Sequence, residues 1–315
     1  MKICILGAGS LGCAIGGTLA EGGSDVHLIA RSKAHVDAIN RDGLKVREGA
    51  IDRLVNVHAA THTEGIGPVD LVIVLVKSFD TREAVTKAGT IIGERTVVAS
   101  LQNGLGHEEI IADVVGKDRV LAGKTYVGGL LLGPGHVVAA VKGRETFIGE
   151  LDGRTTERVV RIAEAFNRAG LATTLSTNIM GTMWDKLLVN VATGALAAIT
   201  RLPYGALYRV PEVKACALAA VAEGVAVATA SGVELSTRDP EDPWVKAAEG
   251  LPPEFKTSML QSLEKGSRTE IDFINGSVVR WGEKCDVPTP VNRSLVACVK
   301  GIEYGMLERA TGAAR

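Results

Sequence analysis

Excess charge of either sign is the first thing this chain lacks. Its 35 lysines and arginines stand against 36 aspartates and glutamates, a net charge of −1. Such a surface has little to gain from counterion release, so neither a nucleic acid nor an anionic membrane is expected as a partner. Cysteine is scarce and unpatterned. The five, Cys4, Cys13, Cys216, Cys285 and Cys298, form no Cys-x-x-Cys pair. An odd, scattered set in 315 residues fits a reducing compartment, and the cytoplasm is the expected location. Cys4 and Cys13 read as small core residues. Metal-ligand spacing is missing too. The six histidines, His27, His35, His58, His62, His107 and His136, keep no ligand-like distance from acids or cysteines, so no metal is expected. His58 and His62 read as surface. No run reads as a membrane span, and no leader is visible before the first strand. Internal repeats and low-complexity tails are absent. What remains is ordinary globular composition, 46% hydrophobic and 23% charged, long enough for two domains.

What the chain has begins at once. An apolar strand from residue 2 enters Gly7-Ala8-Gly9-Ser10-Leu11-Gly12, a small-residue helix follows, then the apolar Val26-His-Leu-Ile-Ala-Arg31. A Gly-x-Gly-x-x-Gly turn between a strand and a helix is the dinucleotide fingerprint in the context it needs. Gly7 permits the tight turn, Gly9 the approach of a pyrophosphate, and Gly12 close packing of helix on strand. The pyrophosphate would sit on the free N–H groups that open the helix. An NAD site usually carries an acid about 20 residues after the turn, on the ribose 2′-hydroxyl. Here Ala30 and Arg31 hold that place. Arg31 can pair a 2′-phosphate through its planar fork, with Lys33 a second candidate, so NADP(H) is favoured over NAD(H). A solvated charge at a strand end is the plainer alternative.

The first half alternates strands and helices. Residues 70–77 and 96–103 are near-continuous apolar runs, as parallel strands covered on both faces require. A helix is expected over 81–92, a strand pair over 44–57, and antiparallel strands finishing the sheet over 120–150. A helix over 155–169 and a strand over 171–175 complete the pattern. Beyond residue 178 the β-rich runs stop. Helices are expected over 180–198, 211–231, 253–265, 269–284 and 290–307, with Thr289 as N-cap and Pro290 at the first helical position. The segment 238–254, with four prolines, reads as a loop. The expectation is a Rossmann-type α/β dinucleotide-binding domain, 1–178, followed by an all-α C-terminal domain, 179–315.

A dinucleotide domain names a cofactor, not a reaction. In Trp184-Asp-Lys186-Leu-Leu-Val-Asn190, Lys186 and Asn190 are four apart and share a helix face. The lysine could protonate an oxygen that gains charge as hydride arrives. From the helix alone, a solvent-facing lysine and a satisfied asparagine are the simpler reading. Ser258 and Glu270 each fall in the expected first turn of a helix, where hydroxyls and carboxylates also serve as caps. Lys77 and Asn103 end two strands, on the side of the sheet where ligands bind in open α/β folds.

Together these residues resemble the ketopantoate reductases (2-dehydropantoate 2-reductases) along nearly the whole chain. The matching motifs are the 7–12 glycine turn, Arg31, Val76-Lys77-Ser, Gln102-Asn103-Gly104, Trp184-Asp-Lys186 with Asn190, and Ser258-Met-Leu-Gln261 with Glu270-Ile-Asp272-Phe-Ile-Asn275-Gly276. The resemblance implies NADPH-dependent reduction of a 2-keto acid to a 2-hydroxy acid, toward pantothenate. By the same resemblance, Lys186 is the catalytic lysine that polarises and protonates the keto oxygen, and Glu270 orders the lysine and its ligands. Asn190 and Ser258 hold the substrate's hydroxyl or carboxylate. Lys77 and Asn103 lie near the nicotinamide, Asn103 also toward substrate. Arg31 binds the 2′-phosphate. One position departs from the pattern: the family's second substrate asparagine, one turn beyond Asn190, is Gly194 here, followed by Ala195. A missing amide alters which keto acid fits. A reductase of another branched or aromatic 2-keto acid therefore stays open. So does a non-catalytic NADP(H)-binding sensor, although a sensor would need neither Lys186 nor Glu270. The Ala-rich second half leaves a homodimer open as well.

Overall fold

In the computed structural model, which describes residues 1–310 and Gly312, the chain separates into two compact units. One contains Met1–Gln102 and His107–Ile179. The other contains Asn103–Gly106 and the chain from Met180 onward. The four residues Asn103–Gly106 thus follow a strand of the first unit in sequence but pack with the second.

The first unit holds strands β1 (Lys2–Leu6), β2 (Asp25–Ile29), β3 (Leu44–Glu48), β4 (Ile51–Val55), β5 (His58–Ala60) and β6 (Leu71–Val74). It continues with β7 (Val97–Ser100), β8 (Val120–Thr125), β9 (Gly128–Gly133), β10 (His136–Ala140), β11 (Thr146–Gly149) and β12 (Thr173–Leu175). Its helices are α1 (Ser10–Glu21), α2 (Lys33–Asp42), α3 (Thr81–Lys87), α4 (His107–Val115) and α5 (Glu157–Arg168). Eight strands form one sheet in the order β12-β11-β8-β7-β6-β1-β2-β5. From β8 through β5 every neighbouring pair is parallel, and β6 and β7 are buried at every residue. Strands covered on both faces have no polar side to show, hence their unbroken aliphatic runs. The chain leaves β1 toward β2 and later returns to β1's other side with β6, so a topological switch point lies between β1 and β6.

The expectation that 120–150 finishes this sheet is corrected. β8 and β11 do join it, with β11 antiparallel to β8, but β9 and β10 join β3 and β4 in a separate sheet of order β4-β3-β10-β9. Burial alternates along β3 and β10, so each has one face to cover. That sheet covers α1, closely enough that a Cβ on Gly129 would lie 2.5 Å from the Ser10 carbonyl oxygen. The helix expected over 81–92 is α3 followed by a 3-10 turn at Gly89–Ile91.

The second unit is helical: α6 (Ile179–Thr200), α7 (Tyr204–Leu207), α8 (Pro211–Ala230), α9 (Glu241–Ala248), α10 (Ser258–Glu264), α11 (Asn275–Cys285) and α12 (Pro290–Ala310). Four expectations change. The proposed 238–254 loop contains α9. The helix expected from 253 begins at Ser258, capped by Thr257, whose hydroxyl accepts from Leu260 N–H at 3.2 Å. The preceding carbonyls of Pro253 and Phe255 are taken by Gly205 and Tyr204 N–H instead, which draws that segment onto α7. The helix expected over 269–284 breaks into a 3-10 turn, Ile271–Phe273, and α11, because Ile274 leaves helical geometry (φ −106°, ψ −98°). The first turn of α12 starts at Pro290 as expected, but the N–H groups of Val291 and Asn292, which a capping Thr289 hydroxyl would serve, are received by Glu223 of α8, at 2.7 and 2.9 Å.

The expected absence of any membrane-length run is also corrected. By length and composition α8 qualifies, with a mean hydropathy of 1.6. Alanine and valine raise that value in a helix that packs against α11 and α12. Its Glu223 carboxylate, in addition to the α12 amides, accepts from the Asn292 side chain at 2.7 Å.

Candidate functional site

The dinucleotide turn of the first unit is built from the backbone. Gly7 has φ +104°, and a Cβ there would stand 2.5 Å from Val76 N, so only glycine passes between β1 and the chain leaving β6. At Gly12 a Cβ would lie 2.2 Å from the Gly7 carbonyl oxygen. Gly7 and Ala8 N–H both donate to Ile29 O, at 3.1 and 2.8 Å, which pins the turn to the end of β2. Gly9 differs. Its φ of −82° suits any residue, and a Cβ on it would meet nothing within 4 Å. The protein does not require glycine there, whereas a pyrophosphate laid against the turn would. Gly9 is the N-cap of α1, without a side-chain cap and without an acid in the first turn. The Ser10, Leu11 and Gly12 amides open the helix toward an anion. These residues fit a dinucleotide.

Arg31, just past β2, is 88% exposed and pairs with Asp80 at 3.2 Å. Lys33 is drawn into an i,i+4 pair with Asp37 at 2.7 Å. Of the two candidate cations, Arg31 carries the longer, weaker contact and is the easier to redirect to a phosphate. Lys77 is exposed and precedes the 3-10 turn Ser78–Asp80 beyond β6.

In the second unit, Lys186 and Asn103 meet. Lys186 Nζ donates to Asn103 Oδ1 at 2.8 Å. Because an ammonium only donates, the amide oxygen must face it and the Nδ2 protons must point elsewhere. α6 presents the pair as its sequence requires: Leu187, Leu188 and Val191 are buried, while Lys186 and Asn190 share the half-buried face. One turn on, Gly194 is buried, and a Cβ on it would sit 3.5 Å from the Met259 methyl. Ser258, the first residue of α10, is exposed and neighbours that methionine. Glu270 is half-buried just before the 3-10 turn rather than in the first turn of a helix. Its segment is zipped to that of Asn103: Leu105 N–H donates to Phe273 O at 3.0 Å, and Ser277 Oγ donates to Leu105 O at 3.2 Å. Gly104 (φ +101°) permits the approach, since a Cβ there would lie 2.3 Å from Phe273 O.

Three supports were not legible in the sequence. Buried Glu303 of α12 accepts from Thr269 N–H at 2.6 Å, beside Glu270. Asp185 accepts from the backbone and hydroxyls of Ser236 and Thr237, at 2.7–3.1 Å, tying the chain beyond α8 to α6. Those bonds hold its carboxyl below the usual range despite burial. The third is His35, buried behind the glycine turn. Among the described residues no group of three or more His, Cys, Asp or Glu could hold a metal ion.

Comparison with known proteins adds independent findings. The model of the family described as ketopantoate reductase PanE/ApbA matches residues 3–153, and that of its C-terminal domain matches 178–303. The chain is 38% identical over 303 residues to a 2-dehydropantoate 2-reductase of Pyrococcus horikoshii, covering 96% of this chain and 98% of that one. It resembles the crystal structure of a PanE/ApbA family ketopantoate reductase from Ralstonia eutropha, with 37% identity, a TM-score of 0.88, and coverage of 98% and 100%. A ternary structure of D-mandelate dehydrogenase with NADH and anilino(oxo)acetate is also similar, at 27% identity, a TM-score of 0.88, and coverage of 97% and 99%.

Proposed function

The chain belongs to the ketopantoate reductase family, and from that premise we propose that it reduces 2-dehydropantoate to pantoate with NADPH. It is an oxidoreductase acting through a nicotinamide dinucleotide. The Lys186–Asn103 hydrogen bond carries the reading of the site. When bound, the reduced nicotinamide supplies a hydride to the keto carbon. Lys186 gives a proton to the keto oxygen, which gains negative charge as the carbonyl opens. Asn103 aims the ammonium, so less of its orientation must be found during the reaction. Glu270 orders the lysine and the bound ligands, and Asn190 and Ser258 hold the substrate's hydroxyl and carboxylate. In the first unit, Gly7, Ala8, Gly9, Ser10, Leu11 and Gly12 seat the pyrophosphate, Lys77 lies toward the nicotinamide, and Arg31 pairs the 2′-phosphate that distinguishes NADP(H).

The test is turnover of purified protein with NADPH and a panel of 2-keto acids. Lys186→Ala should lose turnover by about 10²-fold or more and keep NADPH binding. Near wild-type turnover in that variant would reject Lys186 as the acid. A protein that bound NADPH but left it unoxidised in the presence of every keto acid would be a binder, not a reductase.

Gly194 favours a second reading. The Met259 methyl borders the position where an amide would stand, so this wall is apolar. A 2-keto acid whose side chain carries no hydroxyl would leave no polar partner unpaired there. Faster turnover of such an acid than of 2-dehydropantoate would select it. The proposal includes a cytoplasmic setting, which suits five free cysteines. It also includes a homodimer, checked by light scattering.

A further inference from the structure

His35 lies outside every role assigned above, and its ring joins separate pieces of the first unit. It stands on α2, four residues past Arg31, and is 4% exposed. Gly135 N–H, from the turn between β9 and β10, donates to Nδ1 at 3.0 Å. A backbone N–H only donates, so Nδ1 carries no proton and the neutral ring holds its hydrogen on Nε2. Nε2 lies 3.3 Å from Cys13 Sγ in α1, and the Cys13 thiol donates to the Ala8 carbonyl at 3.4 Å. At its other end, the Ala8 N–H is held by Ile29 O at 2.8 Å. The peptide units flanking Ala8, in the middle of the glycine turn, are therefore fixed from both directions. The backbone N–H of His35 also donates to Ser32 Oγ at 3.3 Å, which sets the start of α2 right after Arg31.

We propose that His35 is the positioning residue of the dinucleotide turn: through Cys13 it holds the Ala8 carbonyl from behind, and through Gly135 it fastens the β9–β10 turn to α2. This rests on the reading that the glycine turn seats the cofactor. The protonation states agree with it. Burial lowers the His35 pKa, keeping the ring neutral, and pushes the Cys13 thiol up to about 12, keeping its S–H as a donor. The ring has a specific task, an acceptor on one edge and a donor on the other. Glutamine can place an N–H where Nε2–H stands. Asparagine can place an oxygen where Nδ1 stands.

The experiment measures NADPH Kd by fluorescence titration, with KM and kcat, in His35→Phe, His35→Gln and His35→Asn. The phenylalanine variant should raise Kd and KM for NADPH by about tenfold, equivalent to 1.4 kcal/mol, with kcat within about twofold of wild type. Glutamine, which restores the donor toward Cys13 and Ala8, should recover most of the loss, and asparagine little. A folded phenylalanine variant with wild-type Kd overturns the proposal. So do equal Kd values for the glutamine and asparagine variants, a comparison that stands even if phenylalanine does not fold. Gly9→Val separates the two readings. Unchanged NADPH affinity in Gly9→Val would reject the glycine turn as cofactor seat, whereas weakened affinity there with no effect at His35 would reject only the positioning role.

Discussion

A Cβ on Gly7 would collide with the Val76 backbone at 2.5 Å, while a Cβ on Gly9 would meet nothing within 4 Å. The two glycines of one motif thus serve different masters, the fold and the ligand. Gly9→Ala should fold with an unchanged Tm and lose NADPH affinity by about tenfold or more, because the methyl occupies the space beside the helix N-terminus. Undiminished affinity would place the pyrophosphate elsewhere. Glu108 offers a second test at this scale. It is buried in the first turn of α4, and its Oε1 meets no hydrogen-bond partner among the described residues. Burial pushes its carboxyl up to about 7. Between the ordinary carboxyl value of ~4.3 and about 7, the native state keeps a proton that the unfolded chain has released, so stability falls as pH rises through that window. Glu108→Gln keeps the neutral shape and should unfold at a higher temperature than wild type at pH ~8, with the gap shrinking as pH falls below about 7 and closing near pH ~4. A gap independent of pH would show that ionisation of Glu108 is not its cause.

At the scale of elements, the short turn Ile271–Phe273 cannot satisfy its own flanks, and α12 takes over part of the task. Glu303 receives Thr269 N–H, and Lys300 pairs with Asp272 and lies 3.7 Å from Glu303. Glu303→Leu leaves a buried amide unpaired, a cost of about 1–3 kcal/mol. It should lower kcat along with Tm, since the amide stands next to Glu270, whereas Glu303→Gln keeps an acceptor and should retain most of both. Loss of Tm with kcat intact would confine Glu303 to stability. The helix read over 269–284 failed at this place for a physical reason. Apart from Glu270, the residues Thr269 to Gly276 are weak helix formers, and Thr269 and Phe273 are bound to partners far along the chain, so little local preference opposes the break. Likewise, Pro253 and Phe255 give their carbonyls to α7, which delays α10 to Ser258.

For the molecule as a whole, cofactor binding is readable as stability. NADPH at 100 times its Kd should add ~2.7 kcal/mol to whichever folded unit binds it, and raise the unfolding temperature accordingly. NADH at the same concentration should raise it less, and Arg31→Ala should bring the two shifts together. Equal shifts in the wild-type protein would remove the 2′-phosphate preference. By itself the sequence determined the dinucleotide turn, the buried strands around it and the long helices α6, α8 and α12, because strand–turn–helix order and periodicity are local. Family resemblance then made Lys186, Asn190 and Glu270 visible as candidates that their own surroundings did not single out. Only the tertiary structure decided that β3 and β4 leave the main sheet for β9 and β10, through a register that sets His136 beside Lys45. It alone brought Asn103 to Lys186 across 83 residues, and His35 to Gly135 across 100. Contacts at such separations depend on which surfaces are buried together, and no local pattern in the chain records that choice.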